Sequence, residues 1–234
     1  MITFAESNRL RAVLAAALAA AVIVLAWPFA RHAYNFGLQG LNGYVAGWTH
    51  LHSAGRPLAN TAIFAHMVAG AFITIAAPLQ LMPPLRNRFP ALHRWTGRAI
   101  CLVAIVTALG GLFYIVTRHT IGGPVMDTGF ALYGLLMLVS AVETARHARA
   151  GDFARHRRWA LRLFFLSIGS WLYRVHYAVW YGLTGGLGTA PGFSGPFDLI
   201  QTFAFYVPYL LVLEIIFAFE RRRAGTMAAG QAAE

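Results

Sequence analysis

The sequence predicts an all-α integral membrane protein, a six-transmembrane-helix bundle forming one polytopic domain. Three observations carry this. Of 234 residues, 58% are apolar and only 12% charged, with a mean hydropathy of +0.57; a soluble domain is about half apolar and a quarter charged. Six apolar runs, at roughly 12–30, 61–82, 99–117, 128–145, 160–182 and 199–219, each approach the ~20 residues that cross hydrocarbon as a helix. The nineteen basic residues are all arginine, and they sort by loop.

The sorting sets the topology. Arg9, Arg11, Arg86, Arg88, Arg94, Arg98, Arg146, Arg149, Arg155, Arg157, Arg158, Arg162, Arg221, Arg222 and Arg223 fall on one side, fifteen in all. Arg31, Arg56 and Arg118 fall on the other, and Arg174 lies inside a span. Basic loops stay in the cytoplasm, so the expected location is a bacterial inner membrane with both termini cytoplasmic. An odd number of spans would scramble the sorting. The pI of about 10.8 does not indicate nucleic acid, because the arginines are separated by long apolar runs and form no continuous basic face. The single cysteine, Cys101, excludes an internal disulfide framework and a thiolate-only metal site.

Along the chain, Arg9 and Arg11 precede the first run as they would in a secretory signal. Its apolar stretch is long for a signal, and Trp27-Pro28-Phe29 is a poor cleavage site, so an uncleaved helix is expected. The connection 31–60 carries Tyr34, Phe36, Tyr44 and Trp48, which suit a segment lying at headgroup level. Pro83-Pro84 should stop the second helix and open a loop over 83–98. Pro78 and Pro208 should kink spans two and six. Gly110-Gly111 and the small residues of span one suit close helix approach. The 182–197 loop is rich in Gly and Pro and should lack regular structure. The tail 224–234 is expected to be disordered.

Arg94-Trp95-Thr96-Gly97-Arg98 opens span three and Arg158-Trp159-Ala160-Leu161-Arg162 opens span five. Both read Arg-Trp-x-x-Arg, with His93 and His156 just upstream. The hairpins 61–117 and 128–182 therefore read as related units. Two independent membrane-edge anchors, with snorkelling arginine and interfacial tryptophan, would give the same pattern.

These motifs, together with His66 and Gly70 on span two, Pro78-Leu79-Gln80, Leu85-Arg86, Gly97-Arg98 and Gly151-Asp152, resemble the bacterial membrane family known as domain of unknown function 2306, over residues 60–180. The resemblance implies a helical membrane fold and supplies no established activity.

Ionisable groups within spans are costly and are the first functional candidates. His66 lies about 7 Å inside span two, and His176 about 9 Å inside span five, at 1.5 Å per residue. Equal depth on two helices is what a bis-histidine b-type haem requires, with His66 and His176 as iron ligands. His93 and His156, flanking the Arg-Trp motifs, form a weaker inner pair of cofactor-binding candidates, with Arg98 and Arg162 at the membrane edge placed to bind the cofactor through haem propionates. Helix histidines can equally bridge to a serine or carbonyl and only join helices, worth roughly 1 kcal/mol. Arg174 has no acidic residue at its depth and should meet water, carbonyls or an anionic ligand: a headgroup, a haem propionate or a quinone oxygen. Glu214 should pair with Arg98 or Arg162, and Glu143 with Arg146. His50-Leu51-His52 has the alternation of a surface metal clip.

No phosphate-binding Gly-rich loop, Gly-x-Ser-x-Gly, His-Glu-x-x-His or Cys-x-x-Cys occurs, so whether the protein is an enzyme stays open. Three functions compete. The first is a non-catalytic scaffold or assembly factor of a respiratory membrane system, its basic face on anionic lipid headgroups or a respiratory-chain partner. The alternative is haem-based electron transfer through His66 and His176. A small transporter ranks last, because the repeat is parallel and few spans are interrupted.

Overall fold

A computed structural model describes residues 4–231, apart from the side chains of 4–9, 11 and 224–231. Among the described residues there are eight α-helices: α1 (Phe4–Leu41), α2 (Pro57–Leu79), α3 (Pro83–Arg88), α4 (Pro90–Arg118), α5 (Gly123–Arg149), α6 (Phe153–Thr184), α7 (Pro196–Ala204) and α8 (Val207–Gln231). Proline stands in the first turn of α2, α3, α4, α5 and α7. There its fixed φ favours the helix and its missing N–H costs nothing. Gly185, left-handed at φ 67°, ends α6.

Among the described residues five segments are long and apolar enough to cross a membrane: Ala12–Leu41, Pro57–Leu79, Pro90–Arg118, Gly123–Arg149 and Pro196–Arg223. The expected span 160–182 lies within α6, which is 32 residues long but not among the five. Arg174, His176 and the tyrosine hydroxyls lower the hydropathy of its middle. The helices present large apolar side chains outward, Val24 at 69%, Leu102 at 63% and Val116 at 77% exposure among them. Surface of that kind belongs against lipid.

The expected boundaries need five corrections, of which the shortest is that the 182–197 loop gives its ends to α6 and α7 and holds a 3-10 turn at Pro191–Phe193. α1 does not stop near residue 30 but runs through Pro28 to Leu41, so the connection shrinks to 42–56. Residues 83–98 are helical on both sides of Phe89, because Pro83 and Pro90 each start a helix instead of holding a loop open. Pro208 does not kink a continuous span: the chain breaks at Phe205-Tyr206 and Pro208 sits in the first turn of α8. In the tail, the α8 backbone stays helical to Gln231, and residues 232–234 lie outside the described residues.

Tertiary packing follows small residues. Ala26, Ala30 and Ala33 are buried along one seam of α1, continued at coiled-coil spacing by Gly37 and Gly40. A Cβ at Gly37 would lie 2.9 Å from the Phe64 carbonyl oxygen, so α1 and α2 meet backbone to backbone. Gly110 brings α4 as close to α2, where a Cβ would sit 3.2 Å from the Ala62 carbonyl. The main core joins Ile73 of α2, Ala104 of α4, Tyr133 and Met137 of α5, Leu166 of α6, and Phe205 and Tyr206 at the break before α8. α1 packs chiefly on α2, and α6 on α5, α2 and α8.

The two ends of the bundle differ. At one end the start of α6 meets α8 through Arg157–Glu220 at 3.0 Å and Arg162–Glu214 at 2.5 Å. At the arginine-poor end, Arg56 donates to the Thr117 carbonyl at 3.0 Å, tying the start of α2 to the end of α4.

Candidate functional site

A cavity of about 300 Å³ lies between α1, α2, α4, α5 and α6. Phe29 and Ala33 of α1, Ile63, His66, Gly70 and Thr74 of α2, and Thr107 and Gly111 of α4 form one side of it. Tyr133 and Gly134 of α5 with Ser170, Tyr173 and Arg174 of α6 form the other. His50, Leu51, Thr120 and Ile121 cover it toward the arginine-poor end.

Its walls are apolar except at a few places. His66 Nδ1 lies 2.7 Å from the Thr107 carbonyl oxygen. A carbonyl only accepts, so Nδ1 carries the proton and Nε2 keeps its lone pair. The Thr107 hydroxyl is buried and has no hydrogen-bond partner, an expensive state inside a bundle. Gly70, one helical turn from His66, opens the wall: a Cβ there would meet nothing within 4 Å. Gly111 lets the imidazole in, with His66 Cε1 only 3.1 Å from where its Cβ would stand. The Thr74 hydroxyl is already satisfied by the Gly70 carbonyl at 2.8 Å and the Ser167 carbonyl at 3.1 Å. Tyr133 donates to the Leu166 carbonyl.

Arg174 borders the cavity between α6 and α1. Its Nη1 donates to the Ser170 carbonyl at 2.9 Å, and its guanidinium lies over the Phe29 ring, 4.6 Å from the centroid. No carboxylate among the described residues comes within ion-pairing distance of it. The two contacts stabilise the group without neutralising its charge.

His176 lies elsewhere. Both its ring nitrogens are engaged, Nδ1 with Gln201 Oε1 at 3.2 Å and Nε2 with the Tyr209 hydroxyl at 2.7 Å. It joins α6 to α7 and α8 and is not among the cavity-lining residues. Nearby, Asp198, 1% exposed, accepts from the Tyr177 hydroxyl at 2.6 Å and from the backbone N–H groups of Ala190 and Gly195 at 2.9 and 3.0 Å.

At the arginine-rich end, His156 Nδ1 lies 3.0 Å from the Thr144 carbonyl, while His93 Nδ1 is buried without a partner. Arg98 stacks on Trp95 at 4.9 Å and Arg162 on Trp159 at 4.5 Å. The two Arg-Trp-x-x-Arg motifs thus fold alike, each arginine over the tryptophan three residues earlier. They differ in what else the arginine meets: Arg162 also pairs with Glu214 and lies over Phe217 at 5.1 Å. Glu143 pairs with Arg146 at 2.6 Å and with the buried His147 at 3.2 Å.

The match to known proteins decides the family. The pattern described as predicted membrane protein (DUF2306) covers residues 63–217. The chain belongs to that family. No curated protein and no solved structure matches it. The DUF2306 region takes in α2 from just before His66 and continues to Phe217, beyond the 60–180 of the resemblance read from motifs. It holds His66, Gly70, Thr107, Tyr133 and Arg174, and leaves out Phe29 and His50.

Sequence reasoning missed Thr107, whose carbonyl orients His66, and Phe29, which receives Arg174. A threonine in an apolar helix carries no distinguishing signal. Gly70 did carry one, standing four residues after His66 and therefore on the same helix face. His50, exposed at the surface, also lines the cavity. Among the described residues no group of three or more His, Cys, Asp or Glu is arranged to hold a metal ion.

Proposed function

We propose that the protein is a six-crossing membrane protein that binds a small, largely apolar molecule within its bundle. The observation that carries the reading is the cavity, which combines apolar walls with the His66 Nε2 lone pair, the unpartnered Thr107 hydroxyl and the Arg174 guanidinium, which meets no carboxylate of the described residues. Pockets that orient apolar ligands with a few placed polar groups have this composition. Native mass spectrometry of the purified protein tests it. Wild type should retain a bound small molecule that Gly70→Leu, which fills open space, does not. Equal retention by a folded Gly70→Leu protein, or none by wild type, refutes the reading.

The sixth crossing is α6. Its 32 residues exceed the ~20 needed, and it packs on α5, α2 and α8. The arginine distribution favours the inner membrane with both termini cytoplasmic. In a Cys101→Ala background, cysteines at Asn87 and Ala154 should resist an impermeant maleimide in intact cells while one at Leu187 reacts. The opposite pattern reverses the orientation.

Of the competing readings, bis-histidine haem ligation by His66 and His176 draws less support than the cavity, since His176 spends both nitrogens on Gln201 and Tyr209. A scaffold role, seated on anionic headgroups or a respiratory partner, draws its support from the arginine-rich end. There Trp95 is 67% exposed beneath Arg98, as an interfacial anchor would be.

A further inference from the structure

We propose that the cavity takes a carboxylate-bearing amphiphile from the bilayer, with the acid group on Arg174 and the apolar tail running past Gly70. The proposal rests on the cavity reading and adds the ligand's charge and its route of entry. Two observations carry it. Arg174 is a cation within the expected span of α6, held by one carbonyl and one aromatic ring and paired with no carboxylate of the described residues. Such a charge is costly in hydrocarbon unless an anion meets it, and a guanidinium offers a carboxylate two parallel N–H donors.

The second observation is position. Neither α1 nor α6 chooses the other as a main packing partner, yet the Arg174 guanidinium reaches Phe29 across the space between them. Both residues also line the cavity. The cation therefore stands at the cavity's lateral edge, where a lipid-dissolved acid would arrive, and not beneath the polar loops His50 and Thr120. Deeper in, the wall at Gly70 is open and the remaining lining is mainly apolar, which suits a chain and not a second charged end.

Photo-crosslinking in phosphatidylcholine nanodiscs tests this with two probes, a diazirine-bearing hexadecanoic acid and the matching hexadecanol. The acid should label α1 and α6 peptides about tenfold more than the alcohol, the ratio expected of one charge-assisted contact. Arg174→Gln should bring acid labelling down to the alcohol level, Arg174→Lys should restore part of it, and Gly70→Leu should remove both. Equal labelling by acid and alcohol in wild type, or acid labelling indifferent to Arg174→Gln, overturns the carboxylate assignment while leaving the cavity reading standing. Labelling by neither probe that responds to Gly70→Leu overturns both.

Discussion

Arg162 reaches from α6 to Glu214 of α8, Nη2 to carboxylate oxygen at 2.5 Å and Nε at 2.7 Å, while its guanidinium covers the Trp159 ring. The equivalent arginine of the first motif, Arg98, has Trp95 beneath it, and no carboxylate of the described residues pairs with it. The repeat is thus locally alike and globally unequal. Arg162→Gln should lower thermal stability more than Arg98→Gln, and Glu214→Gln should reproduce most of that loss. The pair is worth about 1 kcal/mol, since Glu214 is half-exposed. A thiol-reactive dye reports unfolding directly, because Cys101 is the single thiol and is buried. Equal effects of the two arginines would contradict the asymmetry.

The glycines of the bundle should fall into two classes. At Gly129 a Cβ would stand 3.0 Å from the Thr202 carbonyl oxygen, backbone that has little room to yield. Gly129→Ala should cost about 2 kcal/mol through forced separation of α5 and α7. At Gly70 a Cβ meets nothing within 4 Å, so Gly70→Ala should be neutral or stabilising by up to about 1 kcal/mol, from helix propensity. The same dye assay ranks the two, and a destabilised Gly70→Ala would show that the cavity wall is not open.

Asp152 caps α6 by accepting the Arg155 backbone N–H at 2.9 Å. That bond, with the Arg155 side chain, His147 and Arg158 adding to it, holds the carboxyl below its usual range. A depressed folded-state pKa gives stability that is complete above the unfolded value near 4 and is lost as pH falls through the folded value. Wild type should therefore lose unfolding temperature in acid more steeply than Asp152→Asn, which keeps a capping side chain without a titrating one. Parallel melting curves of the two proteins from pH 6 to pH 3 would remove this role from Asp152.

Thr107 holds His66 through its carbonyl, not its hydroxyl. Thr107→Val should therefore leave the imidazole in place and remove a buried hydroxyl that has no partner. The variant should be at least as stable as wild type, yet retain less of the bound molecule in native mass spectrometry if that hydroxyl serves the ligand. A destabilised Thr107→Val would mean the hydroxyl has a structural partner instead.

The sequence by itself determined the membrane class, the approximate positions of the apolar segments, the inequality of arginine between the two ends and the family's motifs. Each is a property of residues in order: hydropathy sums over a window, and proline and arginine mark boundaries wherever the helices pack. Partners came through where local spacing dictated them, as for Glu143 with Arg146, or were narrowed where depth left few choices, as for Glu214 with Arg98 or Arg162, of which the structure takes Arg162. The tertiary structure alone decided which polar groups share a space. His66 and His176 have matching depth in the sequence, but depth is only one coordinate. The rotation of each helix turns His66 toward Thr107 and the cavity, and His176 toward Gln201 and Tyr209. Helix rotation follows from how small residues such as Gly37, Gly110 and Gly129 let particular backbones approach, a pairwise matter of shape that no single helix carries in its own order of residues.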